Sequence, residues 1–245
     1  MVREDNKLIL PSAARPFVLF QRTELLPKRK VGFVELLLDK MGWGGNSYKS
    51  FVQAYAEKNG EVIDGAYSNM MEGEAKSLIG HILPQTRSIL DIGCGMAALQ
   101  VYLYRSLNEP DIVLLDRTRL ESKVWYMFEA KGAFYNSLEI AREVLTSNGI
   151  PSGKITILEA PDNGIINVEA GSIDVVISTI SWGFHYPVST YLKSVATVLS
   201  ENGVLIIDIR KDTGGEHELK TEFQIDPIRT YPKYVTYRCT EKPKI

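Results

Sequence analysis

From Arg87 to Arg210 the chain repeats one pattern: a short, nearly uninterrupted run of Ile, Val and Leu, then a segment of helical spacing, then another run. The runs are SILDIG, DIVLLD, KITILEA, SIDVVIS and GVLIIDIR, and between them lie AALQVYLYRSL, NSLEIAREVLTSNG and VSTYLKSVATVLSENG. Strands apolar on both faces belong in a sheet covered on both sides, and strand–helix–strand repeats make right-handed crossovers to parallel neighbours. The pattern therefore predicts a doubly wound α/β domain with a mostly parallel sheet, and the tail adds a last helix and one or two strands, KYVTYRCTE the clearest. Before residue 75 the pattern is helical. Val34, Leu37, Leu38 and Met41 keep a 3.6-residue spacing up to Gly42-Trp43-Gly44-Gly45, and Asn46 or Ser47 can cap a second helix through Phe51, Ala54 and Tyr55. A third helix is expected from near Glu72 to Leu83, where Pro84 ends it. Residues 1–75 are thus read as a helical N-terminal cap and residues 76–245 as the α/β domain.

Composition narrows the partners. With 44% apolar and 24% charged residues in 245, the chain is that of a soluble globular protein able to fold without disulfides or a structural metal. Lys and Arg number 28 against 30 Asp and Glu, a net charge of −2, so no basic field draws it to nucleic acid or anionic lipid. Small-molecule chemistry is favoured. Two cysteines, Cys94 and Cys239, are too few for a metal cluster or a secreted disulfide framework, which points to a reducing, cytoplasmic setting. The N-terminus mixes both charge signs with only a short apolar stretch, and no window reaches roughly 18 apolar residues, so neither export nor a membrane span is expected.

The first apolar run ends in Leu90-Asp91-Ile92-Gly93-Cys94-Gly95-Met96-Ala97-Ala98 and leads directly into a helix. Glycines there let the backbone bend sharply and approach a ligand, and the helix start offers free N–H groups. Asp116 closes the second run, where a carboxylate can accept both hydroxyls of a ribose. The Gly93-x-Gly95-x-x-Ala98 spacing also fits a dinucleotide fingerprint, but Asp91 would then stand close to a diphosphate. The same carboxylate suits an ammonium group instead. The stretch SILDIGCGMAALQ resembles the first motif of class I S-adenosylmethionine-dependent methyltransferases, with Asp91, Gly93 and Gly95 matching and Ala97 in place of a usual third glycine. The resemblance extends from about Arg87 to Arg210. It implies the class I methyltransferase fold, a Rossmann-like sheet, with S-adenosylmethionine as cofactor: Asp91, Gly93, Cys94 and Gly95 at the methionine moiety, Asp116 at the ribose, Glu159 and Ala160 by the adenine, and Ser178 at the end of the fourth strand. EAPDNG, however, lacks the Asp-Ala pair common in the family after the third strand.

In this fold the segment after the fourth strand, Ser178 to Pro187, supplies substrate and catalytic contacts. It carries neither the Asn/Asp-Pro-Pro-aromatic motif of base N-methylation nor a Pro-Cys nucleophile, which leaves oxygen acceptors favoured. His185 has the pKa to take a hydroxyl proton, with Tyr186 beside it and His217 as second candidate; the bland reading of His185 is a capping or core histidine. Trp182 and Phe184 either line an acceptor pocket or pack under a loop. The segment after Asp116 brings Trp125, Tyr126, Phe128, Phe134 and Tyr135, which read equally as a substrate-binding lid, a sealing helix or a homodimer contact. Tyr67, Asn69 and Met71 are positioned to reach the cofactor from the cap. Asp208 and Asp212 follow the fifth strand, but the SWGFHYP loop has no acid to complete an oxygen cage, so no metal is expected. The resulting reading is methyl transfer to a hydroxyl of a small molecule. YNSLEIAREVLTSNGI and ISWGFHYPVSTYL resemble sugar O-methyltransferases of bacterial surface-glycan pathways, which would make the acceptor a sugar or glycan precursor. A small-amine N-methyltransferase and a catalytically silent S-adenosylmethionine-binding module are the alternatives.

Overall fold

Successive residues of a strand point to opposite faces of its sheet. In the computed structural model, which describes residues 7–27, 45–120 and 135–242, both faces are covered. Ile89, Val175 and Ile206 enter one buried cluster, while their neighbours Leu90, Val176 and Leu205 enter another. This division is why the apolar runs are unbroken.

The strands are β1 (Ser88–Ile92), β2 (Asp111–Asp116), a small antiparallel pair β3 (Arg119–Leu120) and β4 (Tyr135–Asn136), then β5 (Ile155–Glu159), β6 (Ile173–Ser178), β7 (Ser181–Tyr186), β8 (Leu199–Arg210), β9 (Phe223–Thr230) and β10 (Tyr234–Glu241). The main sheet has the order β5-β2-β1-β6-β8-β10-β9. Its first five strands are parallel, and β10 runs antiparallel to both β8 and β9. Strand order reverses between β1 and β6, so a crevice opens at their carboxyl ends.

One face carries α1 (Arg15–Gln21), α2 (Gly45–Lys58), α3 (Gly60–Leu78), α4 (Ala98–Ser106) and α5 (Leu138–Ser147); the other carries α6 (Leu192–Val198) and α7 (Gly215–Glu222). Residues before position 75 share the first cluster with the sheet: Val18, Ile63 and Tyr67 are buried together with Ile89 and Val101. The third helix is longer than its sequence suggests. Ile63, Tyr67, Met71, Ala75 and Leu78 form one buried stripe, and Gly65 and Gly73 sit where a side chain would meet open space, so α3 begins at Gly60. It gives way to a 3-10 turn, Ile79–His81, before Pro84. The first expected helix, around Val34 to Met41, lies outside the described residues. No helix among the described residues is long and apolar enough to cross a membrane.

Polar contacts hold α3 in place. Arg15 of α1 grips Asp64 with two bonds of 2.9 Å, and Ser68 shares a 2.6 Å hydrogen bond with Tyr102 of α4. At its far end Arg229 of β9 donates to Glu74 (2.7 Å), Ser77 (2.6 Å) and Thr236 (3.2 Å), with Asp208 of β8 3.7 Å away. Asp208 is 1% exposed and accepts from Thr236 Oγ1 at 2.5 Å. Removing the cation would leave its carboxylates short of a partner in poorly hydrated surroundings. Arg229→Met should therefore lower the unfolding free energy by about 3 kcal/mol, read from urea denaturation.

Candidate functional site

The chain must turn sharply between β1 and α4. Gly93 (φ +75°) and Gly95 (φ +53°) take left-handed conformations, and a Cβ would strike Ser181 Oγ at 1.7 Å from the first and Gln21 Oε1 at 2.6 Å from the second. Ala97 adopts φ +54° just before α4, the residue at which a third glycine would relieve strain. The turn is tied to β2: Gly93 N donates to Leu115 O (2.7 Å) and Gly95 N to Asp116 Oδ2 (3.0 Å), while Arg117 N donates to Asp116 Oδ1 (2.7 Å).

A cavity of about 890 Å³ opens over this turn at the carboxyl edge of the sheet. Asp91, Gly93, Cys94, Gly95, Asp116 and Ala160 lie on its wall, and so do His185 and Tyr186. The N-terminal helices reach it as well. Tyr67 and Met71 line it from α3, but Asn69 is exposed because two residues along a helix is most of a half-turn away. Other wall residues were not anticipated from sequence: Phe20, Gln21 and Arg22 at the end of α1, Asn136 of β4, and Thr190 and Tyr191 before α6. No local motif marks them, since they arrive by long-range packing.

Several sequence candidates stand elsewhere. Glu159 is exposed and accepts from Thr118 N at 3.1 and 3.2 Å, off the cavity wall. Ser178 is fully buried, donating to Ile92 O (2.8 Å) and accepting from Trp182 N (3.0 Å). The stretch after β6 forms strand β7 instead of a loop, and it buries Trp182 in the second cluster with its indole N–H on Val188 O at 2.9 Å. Phe184 packs edge-on against His185 and Tyr234. His217 is exposed on α7. Trp125 and Tyr126 lie outside the described residues, as do Phe128 and Phe134. Asp208 holds Ile180 N at 3.1 Å and Thr236, so it braces the turn between β6 and β7.

The charged groups on the cavity wall are themselves buried, and their ionisation responds. Loss of hydration pushes the Asp91 carboxyl up to about 7, against the 2.9 Å bond from Gln100 Nε2, and nearby Asp116 adds to the rise. Asp116 is pushed up to about 6 despite its two backbone donors. Burial and these two carboxylates drive the Cys94 thiol upward, so it stays protonated. His185 moves the other way, down to about 4, through burial and then the charges of Arg210 and Arg22. Asn136 is on the cavity wall, close enough to Asp116 and Cys94 to favour their ionised forms, yet neither atom of its buried amide reaches good hydrogen-bond geometry with a partner among the described residues. Orphaned polar atoms on a cavity wall mark a place where a ligand completes the hydrogen bonding.

No protein-family model and no curated protein sequence matches the chain. Solved structures do. A TehB-like S-adenosylmethionine-dependent methyltransferase from Corynebacterium glutamicum aligns over 78% of this chain and 97% of its own, at 14% identity and a TM-score of 0.50. The PH0226 protein from Pyrococcus horikoshii aligns over 70% and 91%, at 14% identity and 0.53. A Nostoc punctiforme protein provisionally named an O-methyltransferase aligns over 74% of this chain but only 59% of its own, at 13% identity and 0.51. These likenesses establish the fold, that of class I methyltransferases.

The raised carboxyl of Asp91 has a cost in the ligand-free state. The unfolded chain loses this proton near pH 4 and the folded chain near 7, so stability falls as pH rises between those values and is level above. Asp91→Asn keeps the acceptor for Gln100 and removes the charge. The ligand-free variant should melt several degrees higher than the native protein at pH 7.5, a gain on the order of 2–4 kcal/mol, and the difference should vanish near pH 4 in calorimetric scans.

Proposed function

We propose that this chain, having the fold of class I methyltransferases, transfers the methyl group of S-adenosylmethionine to a hydroxyl of a small molecule. The observation that carries the reading is the carboxylate pair Asp91 and Asp116, set on either side of the glycine turn in a cavity of about 890 Å³. Such a volume lies in the range of ligand pockets. A carboxylate withdrawn from water calls for a cation or for hydroxyl donors. Asp91 suits an ammonium group, and Asp116, whose oxygens keep spare lone pairs beyond their backbone bonds, suits two ribose hydroxyls. The buried Asn136 amide, short of a well-formed hydrogen bond, stands beside them. A dinucleotide fits less well, because its diphosphate would meet the charge of Asp91.

When bound, S-adenosylmethionine supplies a methyl group on a sulfonium, so the protein's work is mainly to hold and orient. His185 faces the cavity and is neutral through the physiological range, with a lone pair ready for the hydroxyl proton of an acceptor. The Tyr186 phenol is pushed far above its ordinary value by burial, keeps its proton and serves as a hydrogen-bond donor instead of a base. Met71 and Tyr191 give the wall an apolar part. A sugar is the acceptor favoured by the sequence resemblance of the 135–150 and 180–192 stretches.

Binding tests the first half of this reading. Calorimetry should show S-adenosylhomocysteine binding and no NAD binding. Affinity should rise with pH up to about 7 and then level, because an ammonium needs Asp91 ionised. Asp116→Ala should weaken binding by about 1–3 kcal/mol. Asp174→Ala should not, because Asp174 lies at the opposite edge of the sheet, held by Arg87 N and Ser200. Tight NAD binding without a response to S-adenosylhomocysteine would reject the assignment.

Turnover tests the second half. His185→Ala should lower kcat by about 10²–10⁴-fold with cofactor affinity intact. With native enzyme and saturating cofactor, kcat/KM for the acceptor should show no histidine limb between pH 5 and 8, since the free-enzyme imidazole titrates near 4. A variant of normal rate would remove His185 from the chemistry.

A further inference from the structure

Charge divides the cavity. Asp91 and Asp116 flank the glycine turn; Arg22, just past α1, shares the wall with His185. Arg210, the last residue of β8, is not a wall residue but stands over the Phe184 ring with its guanidinium carbon 5.6 Å from the centroid, and Phe184 in turn meets the wall residue His185 edge-on at 4.9 Å. Both arginines are only partly exposed, and among the described residues neither is paired with a carboxylate. Three other half-buried arginines are paired with carboxylates, Arg15 with Asp64 at 2.9 Å, Arg117 with Asp162 at 2.6 Å and Arg229 with Glu74 at 2.7 Å, while Arg238 donates to the His81 carbonyl at 3.2 Å. Guanidinium groups withdrawn from water ordinarily find an oxyanion, and their fork geometry matches carboxylate and phosphate.

Arg22 on the wall beside His185 and Arg210 across the Phe184 ring, with no carboxylate partner for either among the described residues, make an arrangement that a ligand would complete. We propose that the acceptor carries an oxyanion, a carboxylate or phosphate group, which Arg22 and Arg210 hold beside His185. This rests on the methyltransferase reading of the cavity. It has a chemical consequence for the base. Burial depresses the imidazole most and the charges of Arg210 and Arg22 add to it; an anion seated between them offsets the arginine part, so the bound acceptor returns some basicity to the histidine that must take its proton. Discrimination follows as well, since a neutral analogue would leave the two cations uncompensated and the base weak.

The carboxylate of the cofactor's own amino-acid end is the other possible source of the same chemistry, and one experiment separates the two. The protein has three histidines, so each imidazole can be followed by proton NMR over a pH titration. Sodium sulfate at millimolar concentration, against sodium chloride of equal ionic strength, should raise the pKa of His185 by about 1 and leave His81 and His217 in place. The shift should persist with saturating S-adenosylhomocysteine. It should disappear in Arg22→Gln and in Arg210→Gln, and survive in part in Arg210→Lys, which controls for misfolding. No shift at His185, or one that both glutamine variants retain, overturns the subsite. A shift abolished by S-adenosylhomocysteine gives the arginines to the cofactor and overturns their assignment to the acceptor. If S-adenosylhomocysteine fails to bind while the arginine-dependent sulfate shift remains, the oxyanion subsite stands and the methyltransferase reading falls.

Discussion

Asp116 uses both carboxylate oxygens on backbone, one on Gly95 and one on Arg117, and through them the second strand dictates where the first turn lies. At Gly93 a larger residue is shut out by the Ser181 side chain, and at Gly95 it would bear left-handed strain and displace the Gln21 side chain. Three distant parts of the chain thereby meet at two glycines: the end of α1, the β1–α4 turn and the start of β7. Asp208 fixes the third of them from below, holding Ile180 in a left-handed conformation (φ +50°) while it shares the Arg229 network with α3. The helix that carries Tyr67 and Met71 and the strand that carries His185 are thus braced by one set of polar contacts.

Legibility followed locality. The strand runs, the glycine turn and Asp116 belong to one β-α-β unit whose spacing is written along a few dozen residues, and the structure puts them on a common edge. Ile63, Tyr67 and Met71 form a stripe that sequence alone truncates, because Gly65 and Gly73 read as breakers until their faces are seen to be open. Side-chain direction was harder. Trp182 looks like pocket lining by composition, but the surrounding stretch pairs as strand, and an indole needs a buried acceptor, which Val188 O supplies. Phe20, Gln21, Arg22 and Asn136 carry no motif at all; their place in the wall depends on how α1 packs across the sheet and on the β3–β4 pair.

The two ends of the cavity hold opposite electrostatic tensions. The carboxyl groups are harder to ionise than in water and the imidazole is harder to protonate, both chiefly because the groups are buried. A site in this state binds best what is itself bipolar, with a cationic portion for Asp91 and an anionic one for the arginines. Stability and recognition pull against each other at Asp91, the usual condition of a preorganised site.

The sheet order also has a temporal side. β10 lies between β8 and β9, so the strand made first of the final pair has nothing to bond to until the later one inserts. β9 carries Arg229 and β10 carries Thr236, which means the brace beneath the β6–β7 turn is among the last contacts the chain can form. During synthesis the glycine turn and its carboxylates exist well before the support under His185 does. Any break in the chain ahead of Tyr234 would remove β10, leave β9 without its neighbour in the sheet and take Thr236 away from Asp208, so the glycine turn could be present in full while the support under His185 is not.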